Sequence, residues 1–471
     1  MDRTNSFRAP LLGLVLSSIA FGAVGLCSMA SATPARAESF ILVDATSGKV
    51  LRDDKATLPW HPASTTKLMT LYMTLVALRD QRITPDTLFT VSTNAALQSP
   101  TKMGFPAGTQ VTVDNAIKMM MVKSANDMAV MLAEGLGGTV DQFAAAMTDT
   151  AHRLGMSETN FVNPNGLPDD NQITSARDLA ILARALLRDF PQYSFYWHIP
   201  AIKYGRRIVR NYNPLLGRYP GADGMKTGFV CASGFNLVAT AERDNKRYIA
   251  VVLGATSSGE RAVKAAQLLQ IGFNQSPLSF LMPSLGALDS LAPIDAPPPD
   301  LTDEMCGRHR RHPATEEDDP DADLDSVSGP GSSADSGPKF SVVLSALRAP
   351  NANNLLLDAG PVTPVVVYTG PTRTPDEIAK LEAQIAAEPV RKRARRRPVA
   401  AKPAEHRAVK PAAQLDGKRT DGKAAAAVRP WTPMSASALA TSPPPELKAD
   451  GAAAKPNEPA KPKPAAAAIA Q

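Results

Sequence analysis

Histidine and cysteine are scarce: six and three in 471 residues. No His/Cys group stands at zinc-ligand spacing and no glycine-rich phosphate loop occurs, so zinc chemistry and nucleotide binding find no support. No metal and no cofactor is expected. A long apolar run is missing too. The stretch from Leu11 to Leu26 has 16 residues, broken by Gly and Ser, which is short of the roughly 20 that a membrane-crossing helix needs. Arg3 and Arg8 precede it and Ala35-Arg36-Ala37 follows it, the three-part form of a cleaved secretory signal over residues 1–37. Cys27 follows Leu26 rather than a small residue, so a lipid anchor is not expected either.

Cleavage after Ala37 would take away three arginines and one aspartate, lowering the formal charge from +6 to +4. It would also leave Cys231 and Cys306 as the remaining cysteines. Outside the cytoplasm such a pair is able to bond.

Residues 38–280 carry the patterning of one sizeable core. Phe40–Val43 and Val50-Leu51 flank Thr46-Ser47-Gly48, a hairpin signal. Leu68 to Leu78 is apolar nearly all round and predicts a buried helix. Residues 90–113 read as loop with short β-like pieces near Gly104 and Gly108. Asp114 to Leu136 predicts two helical pieces, the first capped by Asp114, and Phe143–Leu154 and Thr174–Leu187 predict two more. After Arg207 the period changes: Ile208-Val209, Gly228–Cys231, Phe235–Ala241 and Tyr248–Leu253 read as strands, and a last helix starts near Gly259. Strands, a helical block, then strands and a helix make an α/β arrangement with a helical insertion.

Beyond residue 280 the composition turns biased. Residues 281–390 read as a low-complexity linker with nine acidic residues between Asp303 and Asp325, short apolar runs at Phe340–Leu347 and Val365–Tyr368, and an isolated amphipathic helix at Pro375–Ala387. Residues 391–471 hold 17 Lys and Arg against 6 Asp and Glu in an Ala/Pro-rich tail. Such a composition is expected to stay disordered. Its charge suggests weak contact with anionic envelope polymers; export argues against a nucleic-acid partner.

Chemistry concentrates at Pro62-Ala63-Ser64-Thr65-Thr66-Lys67, where a loop turns into the apolar helix. Ser64 and Lys67 stand three residues apart and share one face, so an amine can reach a hydroxyl. A lysine serves as a base at neutral pH only when burial or a second cation disfavours its charged form. The spacing alone is weak, since it recurs at Ser99…Lys102 and Ser336…Lys339, where no apolar helix follows. Two further motifs come in order: Ser124-Ala125-Asn126, between Met-rich turns, and Lys226-Thr227-Gly228, read as opening an edge strand.

With Asn163-Pro164-Asn165-Gly166-Leu167 and Asp223-Gly224-Met225-Lys226-Thr227-Gly228 added, residues 38–275 resemble the low-molecular-weight penicillin-binding proteins that are serine-type D-alanyl-D-alanine carboxypeptidases. The resemblance implies the penicillin-binding/β-lactamase-like transpeptidase fold, an antiparallel sheet flanked by helices, and a periplasmic or cell-envelope enzyme. Peptidoglycan stem peptides would be its substrate and β-lactams its covalent inhibitors. It implies Ser64 as nucleophile, Lys67 as base, and Ser124 as proton shuttle. Asn126, Lys226, Thr227 and Gly228 would bind substrate, with the Ser64 and Phe229 N–H groups as oxyanion hole. Arg261 would hold the terminal carboxylate, on the expectation that the Tyr248–Leu253 strand neighbours the Lys226 strand unless Phe235–Ala241 intervenes.

The chain departs from the family in three ways: Asn165 stands where His is commoner, no β-rich second domain is recognisable, and Pro462 and Pro464 interrupt any terminal amphipathic anchor. Asn165 is therefore given no catalytic role. An endopeptidase acting on cross-links, a β-lactamase and a non-catalytic wall-binding protein remain alternatives, although no Glu-x-x-x-Asn loop supports the β-lactamase.

Overall fold

β1 (Ser39–Asp44) and β2 (Val50–Asp54) form the hairpin expected around Thr46-Ser47-Gly48, and Gly48 takes the positive φ of 74° that the turn requires. The computed structural model describes residues 38–275, 285–308, 355–358 and 360–387. The signal, the Phe340–Leu347 run and the basic tail lie outside the described residues. Among those described, no helix is long and apolar enough to cross a membrane.

The hairpin is one edge of a five-stranded antiparallel sheet ordered β2-β1-β9-β8-β7, built with β7 (Ala222–Val230), β8 (Gly234–Arg243) and β9 (Lys246–Ala255). β8 therefore stands between β9 and β7, so the Tyr248–Leu253 strand is not the neighbour of the Lys226 strand. The chain order explains this: two tight turns, at Cys231–Ser233 and Asp244-Asn245, fold three consecutive strands into a meander. β7 is consequently an edge.

A 3₁₀ turn, Ala63–Thr66, leads straight into α1 (Lys67–Arg79), in which every side chain from Lys67 to Leu78 is buried. That all-round apolar run is what allows α1 to sit inside the protein. Each Leu or Met buried there contributes about 1.5–3 kcal/mol. After α1 in the chain come the short paired strands β3 (Leu88–Thr90) and β4 (Gln110–Thr112), with α2 (Thr93–Leu97) between them in sequence. The β pairing expected near Gly104 and Gly108 thus falls at the ends of this stretch, where β-branched and aromatic residues face one another.

α3 (Val113–Val122), α4 (Asn126–Gly137) and α5 (Val140–Leu154) make up the helical insertion. The cap of α3 is Thr112 rather than Asp114, because β4 runs directly into the helix and Thr112 accepts from the Asn115 N–H. Asp114 lies in the first turn and binds Lys118 at 2.5 Å. α6 (Ala176–Asp189), capped by Ser175, packs on the sheet, as does a later helix, Ser258–Phe273. Between α6 and β7 come α7 (Phe195–His198) and the hairpin of β5 (Ala201–Tyr204) and β6 (Arg207–Arg210). The Ser258–Phe273 helix is α8.

Chain beyond residue 280 also packs on this body. Leu288, Leu301 and Met305 are buried, and α9 (Thr302–Cys306) is joined to the end of β7 by a Cys231–Cys306 disulfide. β10 (Val365–Val366) pairs in parallel with β5, and Val367 and Tyr368 bury against α3, β4 and β5. α10 (Pro375–Ala387) forms where the sequence predicts a helix, but it is not isolated. Glu382 binds Lys203 at 2.5 Å and Arg206 Nε donates to the Ile385 carbonyl at 2.8 Å, fastening the helix to the β5–β6 hairpin.

Candidate active site

The 3₁₀ turn places residues i and i+3 one above the other, and so sets Lys67 Nζ 2.8 Å from Ser64 Oγ. Ser64 is half-buried, whereas Lys67 is 0% exposed. The amine has two further partners, Asn126 Oδ1 at 2.7 Å and the Asn165 carbonyl at 2.6 Å. Asn126 Nδ2 donates to the Ser99 carbonyl, which fixes the amide so that its oxygen faces the lysine. Both partners can only accept.

The turn cluster Asn163–Leu167 supplies that carbonyl. Gly166 sits at φ 81°, and a Cβ there would lie 1.8 Å from the Ala63 carbonyl oxygen. Glycine is required for the loop to press against the Ala63–Thr66 turn. Thr70 Oγ1 on α1 donates to the Pro164 carbonyl at 2.6 Å, and Gln172 Nε2, from the chain just after the loop, donates to Thr66 Oγ1 of the 3₁₀ turn at 2.9 Å. Asn165 enters the site through its backbone, the contribution that a side-chain reading of the sequence does not disclose. Its side chain bridges to Gln98 Oε1 at 2.8 Å.

Ser124 follows the end of α3 with φ 60°, a left-handed conformation uncommon for a residue with a Cβ. Its Oγ is buried and has no hydrogen-bond partner among the described residues. Asn126, two residues on at the start of α4, is the member of this motif that contacts Lys67.

The opposite wall is β7. A Cβ on Gly228 would stand 2.8 Å from the Ser64 nitrogen and 3.0 Å from that of Thr65. The glycine therefore lets the edge strand lie directly on the Ala63–Thr66 turn. Lys226 and Gly228 share one face of the strand. Lys226 is buried and donates to the Thr227 carbonyl at 2.8 Å, and Thr227 is buried as well. The Phe229 ring stacks on Phe235 at 4.3 Å. Arg261, in the first turn of α8, is buried behind this strand. It donates to the carbonyls of Gly228 and Asn236 at 3.3 and 3.2 Å and to that of Tyr212 at 3.4 Å. The structure thus gathers Ser64, Lys67, Asn126 and Gly228 at one place, and sets Arg261 behind the strand rather than in the open.

Comparison with known proteins identifies relatives of the chain. The D-alanyl-D-alanine carboxypeptidase family matches residues 27–257. The DacA carboxypeptidase of Haemophilus influenzae is 36% identical over 242 residues, covering 50% of this chain and 62% of that protein. The DacB2 carboxypeptidase of Mycobacterium tuberculosis is 30% identical over 250 residues, covering 51% of this chain and 84% of that protein. The crystal structure of the DacD carboxypeptidase from Francisella tularensis superposes with a TM-score of 0.50 at 30% identity, covering 50% of this chain and 70% of that one. The chain belongs to the D-alanyl-D-alanine carboxypeptidase family and has the fold of the penicillin-binding proteins. Its match spans about three-fifths of the length of such relatives as the Haemophilus influenzae DacA and the Escherichia coli DacD carboxypeptidases (62% and 63%).

Proposed function

We propose that this protein is a serine-type D-alanyl-D-alanine carboxypeptidase that removes the terminal D-alanine of peptidoglycan stem peptides. The observation that carries the reading is the buried Lys67 amine, 2.8 Å from Ser64 Oγ and also bonded to the Asn126 side-chain oxygen and the Asn165 carbonyl.

Ser64 attacks the carbonyl between the two D-alanines while neutral Lys67 takes its proton. Lys226 is the second cation that favours the neutral lysine. The substrate lies extended along the free edge of β7. Backbone N–H groups of Ser64 and Phe229 receive the developing oxyanion, each worth about 3–4 kcal/mol. Ser124 passes a proton to the leaving amine, and Asn126 holds the substrate amide or Lys67. Thr227 and Arg261 meet the terminal carboxylate. Water then releases the acyl group. Penicillins, which acylate the same serine and leave slowly, are the inhibitors.

The setting follows from the sequence: residues 1–37 are the cleaved signal, residues 38–280 the catalytic domain, and the site of action is the periplasm or cell envelope in cell-wall maturation. The basic tail after residue 391 makes weak contact with anionic envelope polymers.

Mass spectrometry of the full chain with labelled penicillin tests the reading. One penicillin on the peptide carrying Ser64, and none in a folded Ser64→Ala protein that also releases no D-alanine, is the expected result. Label that survives the substitution moves the nucleophile elsewhere.

A further inference from the structure

The Ser124 turn holds an uncommon backbone conformation, and something must hold it there. α4 begins at Asn126, and its second residue, Asp127, is 0% exposed. The Asp127 carboxylate does not point toward Ser64 or Lys67; it turns to the loop that precedes the site. Oδ2 accepts from the Gly104 N–H at 2.8 Å, and Oδ1 accepts from the Met103 N–H at 3.1 Å and from the Met128 N–H at 3.0 Å.

The same loop grips the Ser124 turn. Thr101 Oγ1 donates to the Ser124 carbonyl at 3.1 Å, the Thr101 carbonyl accepts from the Asn126 N–H at 2.8 Å, and the Ser99 carbonyl accepts from Asn126 Nδ2 at 2.9 Å. The loop therefore holds the turn on one side and is held by Asp127 on the other. Hydrogen bonds to an ionised acceptor are about twice as strong as neutral ones, so a buried carboxylate suits the fastening end.

We infer that Asp127 is a positioning residue: through residues 99–104 it holds Ser124 and Asn126 in the conformation that serves Lys67. This rests on the carboxypeptidase reading above for its kinetic consequence, but the fastening itself is a separate claim. Asp127 touches neither the reacting atoms nor Lys67 in any bond described here. Its loss should thus lower the rate of acylation rather than the binding of penicillin that precedes it.

The test uses full-length Asp127→Ala and Asp127→Asn proteins, both well below their melting temperatures. Hydrogen exchange at the Met103, Gly104 and Asn126 amides should rise at least tenfold in Asp127→Ala. The acylation rate constant for a fluorescent penicillin should fall at least tenfold with the half-saturating concentration little changed. Asp127→Asn, which keeps one carbonyl oxygen, should recover part of both. Unchanged exchange at the three amides overturns the fastening. Faster exchange with an unchanged acylation constant, or a loss no larger than the unfolded fraction, overturns the positioning role. A wild-type chain that takes up no penicillin sinks the carboxypeptidase reading instead, and the exchange measurement still decides the fastening.

Discussion

Two stretches of this chain bury side chains in one body but announce themselves differently. Residues 38–275 carry helical and strand periodicities long enough to read, and the catalytic motifs stand on them. Residues 285–308 and 355–387 look like linker, yet Leu288, Leu301, Met305, Val367 and Tyr368 are buried. The first stretch folds on its own patterning. The second is held through short, separate attachments, among them the Cys231–Cys306 disulfide, the two-residue β10–β5 pairing, the Lys203–Glu382 ion pair and the hydrogen bond from Arg177 to the Leu288 carbonyl. A segment that only completes another's surface needs one or two apolar residues, and these do not make a period.

The largest effect should come from the chemistry of the first stretch. In Lys67→Arg the guanidinium cannot give up its proton, and the acylation rate with penicillin should fall by about 10²–10⁴-fold, the usual worth of general-base catalysis. The melting temperature should change far less than that. Acylation at the wild-type rate by this variant would remove Lys67 from the base's role.

Next comes the attachment of the second stretch. The Cys231–Cys306 bond closes a loop with a sequence separation of 75, for which chain entropy gives about 4 kcal/mol. Replacing both cysteines by alanine should lower the unfolding free energy toward that amount while penicillin acylation in the cold is kept. Because Cys231 directly follows β7, a variant that kept its stability but lost acylation would show that the linker side governs the catalytic strand.

Asp178 lies where the two stretches meet through its neighbour Arg177. Its carboxyl is buried at the start of α6, and burial pushes it up to about 6, against the opposing pull of Thr159 Oγ1, Arg177 and the Glu158 N–H. Arg177 also donates to the Leu288 carbonyl, so chain from beyond residue 280 helps to cover the pair. The folded value lies above the ordinary 3.8. The folded state therefore holds the proton more tightly, and this contribution is fully present below pH ~4 and lost as pH rises through about 6. The loss amounts to about 3 kcal/mol. Denaturant titrations between pH 4 and 7 should show a falling stability component that Asp178→Asn flattens. An unchanged pH profile in the variant would exclude Asp178 as its source.

How much was legible follows from the same contrast. Ser64, Lys67, Asn126 and Gly228, which the structure brings together, stand out by side-chain type and spacing, and the sheet and the buried α1 by period. Three things were not. The Asn165 contribution is a backbone carbonyl, and any residue type has one. The insertion of β8 between β9 and β7 is a matter of strand order, which periodicity does not encode. The packing of Val367 and Tyr368 depends on a surface assembled from α3, β4 and β5, far away in sequence. The cysteine pair, by contrast, could be read by count alone, and the bond is there.

The smallest effect is the one that most sharply separates chemistry from scaffolding within the first stretch. Arg261 is proposed to meet the terminal carboxylate, but its guanidinium already donates to the carbonyls of Gly228, Asn236 and Tyr212. Those bonds place its charge directly behind Thr227-Gly228 and also make it a clamp between β7, β8 and the loop before β7. The two roles differ in what they demand of the substrate. A charge acting on the carboxylate matters only when the carboxylate is present; a clamp matters for every ligand that uses β7. Arg261→Ala should lower kcat/KM for a stem peptide ending in free D-alanine by about 1.5–3 kcal/mol, the worth of a hydrogen bond to a charged group. The same peptide with an amidated terminus should be nearly indifferent to the change. Equal losses on both peptides would leave Arg261 to the clamp alone, and the carboxylate would then have to be met by Thr227 and Lys226 on the strand itself.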